Sequence, residues 1–228
     1  MTDPGYRLRD RALVLPAADA LVLADLHVGM DAESGVEFPL GERDDLVGRL
    51  RALLDAVGPG EVVFGGDLLH SFSSVPAAVP DTVAALERTV RAAGARPVVT
   101  PGNHDTMLPS VWDGPTAEEY RLDDGTVVCH GHERPSADAD RYVIGHDHPA
   151  ITVEGQRHPC YLRGEFDGSE VVVLPAFTRL AAGTTVEGRR AGGFQSPLIT
   201  DADALRPVVW ADGETYEFPP LGEFRGML

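Results

Sequence analysis

Lysine is missing from this chain: all 19 basic residues are arginine, set against 36 acidic ones for a formal charge of −17. A surface this acidic repels itself in dilute buffer, whereas at molar salt the screening length falls to about 3 Å and the repulsion largely vanishes. We therefore read the chain as salt-loving, of haloarchaeal type. The balance also argues against the basic face of an ordinary nucleic-acid binder. At high salt, however, phosphate attraction is screened anyway and close contacts must carry binding, so charge does not choose the substrate class. Cysteine is scarce too: Cys129 and Cys160 are too few for a disulfide framework, and both sit in apolar, β-like surroundings where a free thiol packs as a small hydrophobe. No apolar run approaches the roughly 20 residues of a membrane helix, and the N-terminus lacks a charged-then-apolar signal pattern. The expectation is a soluble, cytoplasmic protein without membrane contact. Low-complexity stretches and linkers are absent as well, which predicts one domain over residues 1–228, with 186–228 as an extension packed on it.

What the chain does have is a set of five short apolar runs, each ending on a residue type that binds metal through nitrogen or oxygen. Ala20 to Ala24 runs into Asp25-Leu26-His27, Glu61 to Gly66 into Asp67, Pro97 to Gly102 into Asn103-His104-Asp105, Thr126 to Cys129 into His130, and Tyr142 to Gly145 into His146-Asp147-His148. Such runs bounded by Gly or Pro read as buried strands. In open α/β sheets the ligand site lies beyond the carboxyl ends of the strands, so these side chains are expected to gather in one metal-binding cluster. Seven of the eight histidines fall in or beside these motifs, and only His158 lies apart.

Between the runs, the three-and-four spacing of Leu46, Val47, Leu50, Leu53, Leu54 and Val57 predicts a helix over Pro39–Val57, with Arg43, Asp44, Arg49 and Arg51 mostly off its apolar stripe. Val83, Leu86 and Val90 predict another over Pro80–Ala93. Strand, helix, strand, helix, strand up to Asn103 implies a parallel sheet. Beyond residue 115, short β-like segments with tight turns imply antiparallel strands, including Pro197–Ile199 and Val208–Trp210. The expected fold class is α/β, a sandwich of two mixed sheets flanked by helices.

The five motifs together resemble the blocks of the calcineurin-like metallophosphoesterases. The likeness extends towards a branch of ligase-associated DNA-damage-response endonucleases and their archaeal relatives. It rests on Ala24-Asp25-Leu26-His27-Val28-Gly29, Gly66-Asp67-Leu68-Leu69-His70-Ser71, Gly145-His146-Asp147-His148-Pro149 and Val172-Val173-Leu174-Pro175-Ala176-Phe177. This resemblance implies that Asp25, His27, Asp67 and His148 hold one divalent cation, and that Asp67, Asn103, His130 and His146 hold a second, with Asp67 shared. Mixed imidazole and carboxylate donors suit Mn, Fe or Zn, of which manganese is favoured here. Two such cations activate a bridging hydroxide for in-line attack on phosphorus. The resemblance also makes His104 the group beside the leaving oxygen, with Asp105 orienting its imidazole.

Several positions stay open. His70 follows the Gly-Asp-Leu-x-His variant of some repair nucleases and either meets substrate or is a satisfied loop histidine. His132 is the alternative to His130 as ligand, and Asp147 is read as facing solvent or backing the ligands. Arg134, Arg141 and Arg179 are candidates for phosphate contact, against the plainer reading that they pair with the abundant carboxylates. Trp112 and Trp210 read as packing groups more readily than as base-stacking ones.

The expected activity is hydrolysis of phosphodiesters, as a nuclease on single-stranded or flexible DNA or RNA, with a repair helicase or ligase as a candidate partner. A small-molecule phosphodiesterase, a phosphomonoesterase and a non-catalytic metal-binding scaffold are the alternatives. If the acidic surface is an adaptation to salt, the thermal unfolding midpoint followed by circular dichroism will rise from about 0.1 M to about 3 M KCl. A midpoint that falls or stays level would reject that origin.

Overall fold

The computed structural model describes residues 4–33 and 41–225. The first sheet has five strands in chain order: β1 (Arg7–Arg9), β2 (Ala12–Leu15), β3 (Ala20–Leu23), β4 (Glu61–Gly65) and β5 (Arg96–Thr100). The first two joints are antiparallel, and β3, β4 and β5 run parallel. The one-turn helix α1 (Met30–Glu33) follows β3, then α2 (Glu42–Val57), and α3 (Val79–Ala92) links β4 to β5. Positions 39 and 40 of the expected first helix lie outside the described residues. Gly58, left-handed at φ 62°, ends α2 by donating its N–H to the Leu54 carbonyl.

The second sheet contains β6 (Glu119–Arg121), β7 (Val127–Cys129), β8 (Arg141–Ile144), β11 (Tyr161–Phe166), β12 (Ser169–Val173), β14 (Arg206–Ala211) and β15 (Glu214–Glu217), in the order β15-β14-β11-β12-β8-β7-β6. A small sheet is made by β9 (Pro149–Val153), β10 (Gln156–Pro159) and β13 (Thr184–Thr185), and α4 (Leu221–Phe224) closes the described chain. The expectation of antiparallel pairing is corrected at three joints, because β7 with β8, β8 with β12 and β9 with β13 are parallel. The segment between β7 and β8 is a return across the sheet and not a hairpin. Its consequence is positional: the chain leaves β7 at His130 and β8 at Gly145-His146 on the same sheet edge. Pro197–Ile199 is not a strand; Leu198 and Ile199 pack as irregular chain under the second sheet.

The layers explain the continuous apolar runs. Leu21 and Leu23 of β3 face Leu46, Leu50, Leu53 and Leu54 of α2 and Val83, Leu86 and Val90 of α3. Their neighbours Ala20, Val22 and Ala24 face Val128, Val143, Val172 and Leu174 of the second sheet. Strands buried on both faces lose alternation and read as uninterrupted hydrophobe. The far face of the second sheet is covered by the C-terminal residues Val186, Phe194, Leu198, Leu205, Leu221 and Phe224. Trp112 belongs to the first core, edge-on to Phe64. No helix among the described residues is long and apolar enough to cross a membrane.

Arg49 departs from the amphipathic reading of α2, for it is buried. Its Nε and Nη2 reach the two carboxylate oxygens of Asp10, each at 3.1 Å, Nη1 donates to the Phe177 carbonyl at 2.6 Å, and the guanidinium lies 4.1 Å from the Phe177 ring centre. The helix is thereby riveted to the start of the first sheet and to the segment after β12. Arg49→Ala strands the Asp10 charge and the Phe177 carbonyl together. Urea unfolding should show a loss of about 2–3 kcal/mol, and Arg49→Lys should recover only part of it because the bidentate fork is lost.

Candidate metal centre

The parallel strands bring their carboxyl ends to one edge: Asp25 follows β3, Asp67 follows β4, Asn103 follows β5, His130 follows β7 and His146 follows β8. Past the sheet, the first two loops continue side by side, since Asp25 N–H donates to the Gly66 carbonyl, His27 N–H to Asp67 and Val28 N–H to Leu68. The loops must then turn sharply to aim side chains inward. Asp25, His27, Asp67, His146 and His148 all take left-handed backbone, with φ of 56°, 49°, 45°, 70° and 44°. Asp and His tolerate this region better than branched residues do, but five such positions in one site store strain. Space is equally tight. A Cβ at Gly66 would stand 2.1 Å from Nδ1 of His130, and one at Gly102 would stand 2.1 Å from Oδ1 of Asp67. The Gly-Asp and Gly-Asn-His motifs therefore have a steric cause.

Two groups of donor atoms converge on Asp67. In the first, Nε2 of His148 lies 3.1 Å from Nε2 of His27 and 3.3 Å from Oδ1 of Asp25, and Nε2 of His27 lies 3.8 Å from Oδ2 of Asp67. In the second, Nε2 of His130 lies 3.0 Å from Oδ1 of Asn103, 3.0 Å from Nδ1 of His146 and 3.4 Å from Oδ2 of Asp67. Carboxylate and amide oxygens only accept, and facing imidazole nitrogens share at most one proton between them. Lone pairs therefore outnumber protons in both groups, and a cation at each centre resolves the excess. The residues present fit two divalent ions, and the nitrogen-and-oxygen mixture suits first-row transition metals.

Electrostatics agrees with that fit. Burial drives the His27 and His130 rings down to about 3, keeping them in the neutral form that ligates metal. Burial, and then the charge of Asp25, push Asp67 up to about 8. Burial acts upward on Asp25 as well, but the His148 ring, its hydrogen bond, and the rings of His130 and His27 outweigh it, and Asp25 stays below the ordinary carboxylate value. Two desolvated carboxylates among imidazoles that burial holds largely neutral call for positive charge.

A second set of carboxylates ties the loops together. Asp105 was expected to orient His104; instead its oxygens take the backbone N–H groups of Leu68, Leu69 and Gly102 at 3.1, 2.8 and 2.9 Å, binding the second loop to the third. The partner of His104 Nδ1 is the His70 carbonyl at 2.5 Å. A carbonyl cannot donate, so Nδ1 carries the proton and Nε2, 3.9 Å from Oδ2 of Asp67, is left to act. Glu42, buried at the start of α2, accepts from Gly29 and Met30 just past His27. Asp147 is buried and not solvent-facing: its oxygens accept from the Gln195 and Ser196 N–H groups, so the His146–His148 loop is held by that later segment of the chain.

His70 lies edge-on to His27 and stacked 6.0 Å from His104, inside the cluster. His130 is the histidine among the convergent donors; His132 stands beside it, ring centres 5.2 Å apart. Arg134 pairs with Asp167 and stacks on Phe166, while lining a small cavity with His130 and His132. Arg179 pairs with Asp45 of α2, and Arg141 with Glu170. Sequence reasoning passed over Glu42 and Phe72. Nothing local marks Glu42, but an aromatic in the polar run Ser71-Phe72-Ser73-Ser74 was a visible signal.

If the close approach at Gly102 seats the shared carboxylate, Gly102→Ala will lower metal content at both sites together when reconstituted protein is assayed by plasma mass spectrometry. Gly48→Ala, on α2 with open space around the new methyl, should keep full metal content and gain about 0.5–1 kcal/mol in stability.

Residues 19–148 match the family model described as Calcineurin-like phosphoesterase. Among solved structures, the fold is similar to Pseudomonas putida nuclease MPE, at 24% identity over 92% of each chain with a TM-score of 0.64. It is also similar to the E. coli phosphoesterase Yfce, at 16% identity over 88% of this chain and 98% of that one, with a TM-score of 0.45. No curated protein matches the sequence. With more than half its length matched and a donor cluster suited to divalent metal at the strand ends, the chain belongs to the calcineurin-like phosphoesterase family and is a hydrolase of phosphate esters.

Proposed function

We propose that the chain is a binuclear phosphodiesterase acting on single-stranded or flexible nucleic acid. In this reading Asp25, His27, Asp67 and His148 hold one cation, Asp67, Asn103, His130 and His146 hold the other, and manganese is the favoured metal. The observation that carries it is the shared carboxylate: Oδ2 of Asp67 faces both donor groups, with Nε2 of His104 3.9 Å away. Two divalent ions, when bound, supply Lewis acidity to a phosphoryl oxygen and lower the pKa of water. The chain's own part is positioning and proton transfer. Oδ1 of Asp67 receives the His104 N–H at 2.9 Å, which fixes His104 beside the shared group. With Nδ1–H held by the His70 carbonyl, Nε2 is the atom turned to the leaving oxygen: in the imidazolium form it gives up its proton there, and the ring is left neutral with Nδ1–H still in place.

A diester is favoured over a monoester on charge. A monoester carries nearly two negative charges at neutral pH and gains most from fixed arginines, whereas Arg134 and Arg179 are committed to Asp167 and Asp45. The choice of nucleic acid draws on Gly66-Asp67-Leu68-Leu69-His70, with His70 beside His27 and His104, and is in keeping with the similarly folded P. putida protein, which is a nuclease.

The test is a substrate panel at molar KCl: bis-p-nitrophenyl phosphate, p-nitrophenyl phosphate, and labelled single-stranded DNA and RNA, each with manganese and with chelator. The diester and at least one oligonucleotide should be cleaved, the monoester poorly, and chelation should abolish all turnover. His104→Ala should keep both metals and lose about 10²–10⁴-fold in kcat. Faster monoester than diester hydrolysis, or metal lost along with activity in that variant, would overturn the assignment.

A further inference from the structure

Among the described residues two large hydrophobic side chains stand exposed, Phe72 and Tyr216. Tyr216 lies on the edge strand β15, whereas Phe72 is at the metal centre: its ring centre is 3.9 Å from that of His104, at a tilt of 33°. Half of Phe72 remains in water. A lone exposed aromatic needs no explanation by itself, but this one is held in place. The His70 carbonyl two residues earlier receives His104 Nδ1, the Phe72 carbonyl receives Thr106 Oγ1, and the Ser71 and Ser74 hydroxyls bridge at 2.9 Å. The loop is thus stitched on both sides of Phe72 to the turn that carries His104, and the ring is presented without the entropy of a free side chain.

We propose that Phe72 is a stacking platform for a nucleobase next to the scissile phosphodiester, a specificity role that rests on the nuclease reading above. The phosphorus must lie near Nε2 of His104 for that nitrogen to meet the leaving oxygen, so an adjoining base is within reach of a ring packed on the same imidazole. The chemistry suits the chain. At a formal charge of −17 it lacks the long-range attraction by which most proteins gather a polyphosphate. Base–aromatic stacking does not depend on that field, tolerates any sequence because every base has a π-face, and is not screened by salt as charge pairs are. The prediction is a nuclease that reads the presence of bases and not their order.

The test compares the manganese-loaded full chain with Phe72→Ala and Phe72→Trp on two single-stranded substrates, an oligothymidylate and the same length with abasic tetrahydrofuran units flanking each cleavable linkage. Phe72→Ala should raise KM for the oligothymidylate about tenfold with kcat within about twofold, and should leave KM for the abasic strand unchanged. Phe72→Trp should restore the preference, and its fluorescence should be quenched by a phosphorothioate oligothymidylate more than the wild-type signal of Trp112 and Trp210. An equal KM rise on both strands, or a fall in kcat with KM unchanged, would show that Phe72 merely supports His104 and would overturn the platform. If wild-type protein hydrolyses simple diesters but no oligonucleotide, the nuclease reading fails. The quenching titration then decides separately: quenching sustains base stacking, and its absence ends it.

Discussion

Asp67 bears more on this molecule than any other side chain. One carboxylate oxygen fixes the backbone of His104, while the other faces His27, His104 and His130, in a pocket where burial and the charge of Asp25 make ionisation costly. A carboxylate in that position is tolerable only with positive charge beside it. The two sheets, the bare glycines and the turned loops can all be understood as the means of holding this one group where water would not put it. Two of its neighbours share the problem: the His27 and His130 imidazoles are kept neutral by the same burial that discourages the carboxylate charge.

The loops at the sheet edge are tied to one another by backbone pairing and by acids accepting backbone N–H groups. Glu42 holds the first loop, Asp105 joins the second to the third, Asp25 receives His146 N–H, and Asp147 receives Gln195 N–H. An acid-rich, lysine-free chain has carboxylates to spare for this work, and a carboxylate can serve two or three amides at once. Charge-assisted bonds of this kind are stronger than neutral ones. The segment around Gln195 and Ser196, whose neighbours Phe194 and Leu198 pack on the second sheet, thereby becomes part of the support of His146 and His148.

Much of this was legible in the chain because strands buried on both faces are unbroken apolar runs whose ends are abrupt. Asp25, Asp67, Asn103, His130 and His146 announce themselves as the first polar residue after such a run. Direction was less legible. Short segments with turn signals suggested hairpins, yet β7, β8 and β12 lie parallel, since the order of strands in a sheet is set by packing and leaves no local trace. The edge strands β1 and β15 are exposed along most of their length and carry no periodic signal. Pro197–Ile199 showed the reverse failure: apolar residues recruited to a core without forming a strand. The resemblance gave Asp105 the orienting of His104, whereas its oxygens accept from amides 36 and 37 residues away. Arg134 and Arg179 illustrate the force of composition, for in a chain so acidic a guanidinium finds a carboxylate first.

The left-handed backbone at Asp25, His27, Asp67, His146 and His148 carries an evolutionary corollary. Glycine is the residue such a conformation prefers, so replacing any of the five would ease the fold while deleting a donor. Decay of the chemistry would run downhill in folding free energy and leave a sturdier molecule behind. A lineage drifting towards inertness should collect glycines at these turns before anything else. Acids and imidazoles at all five hold the donors in place at the expense of that conformational ease.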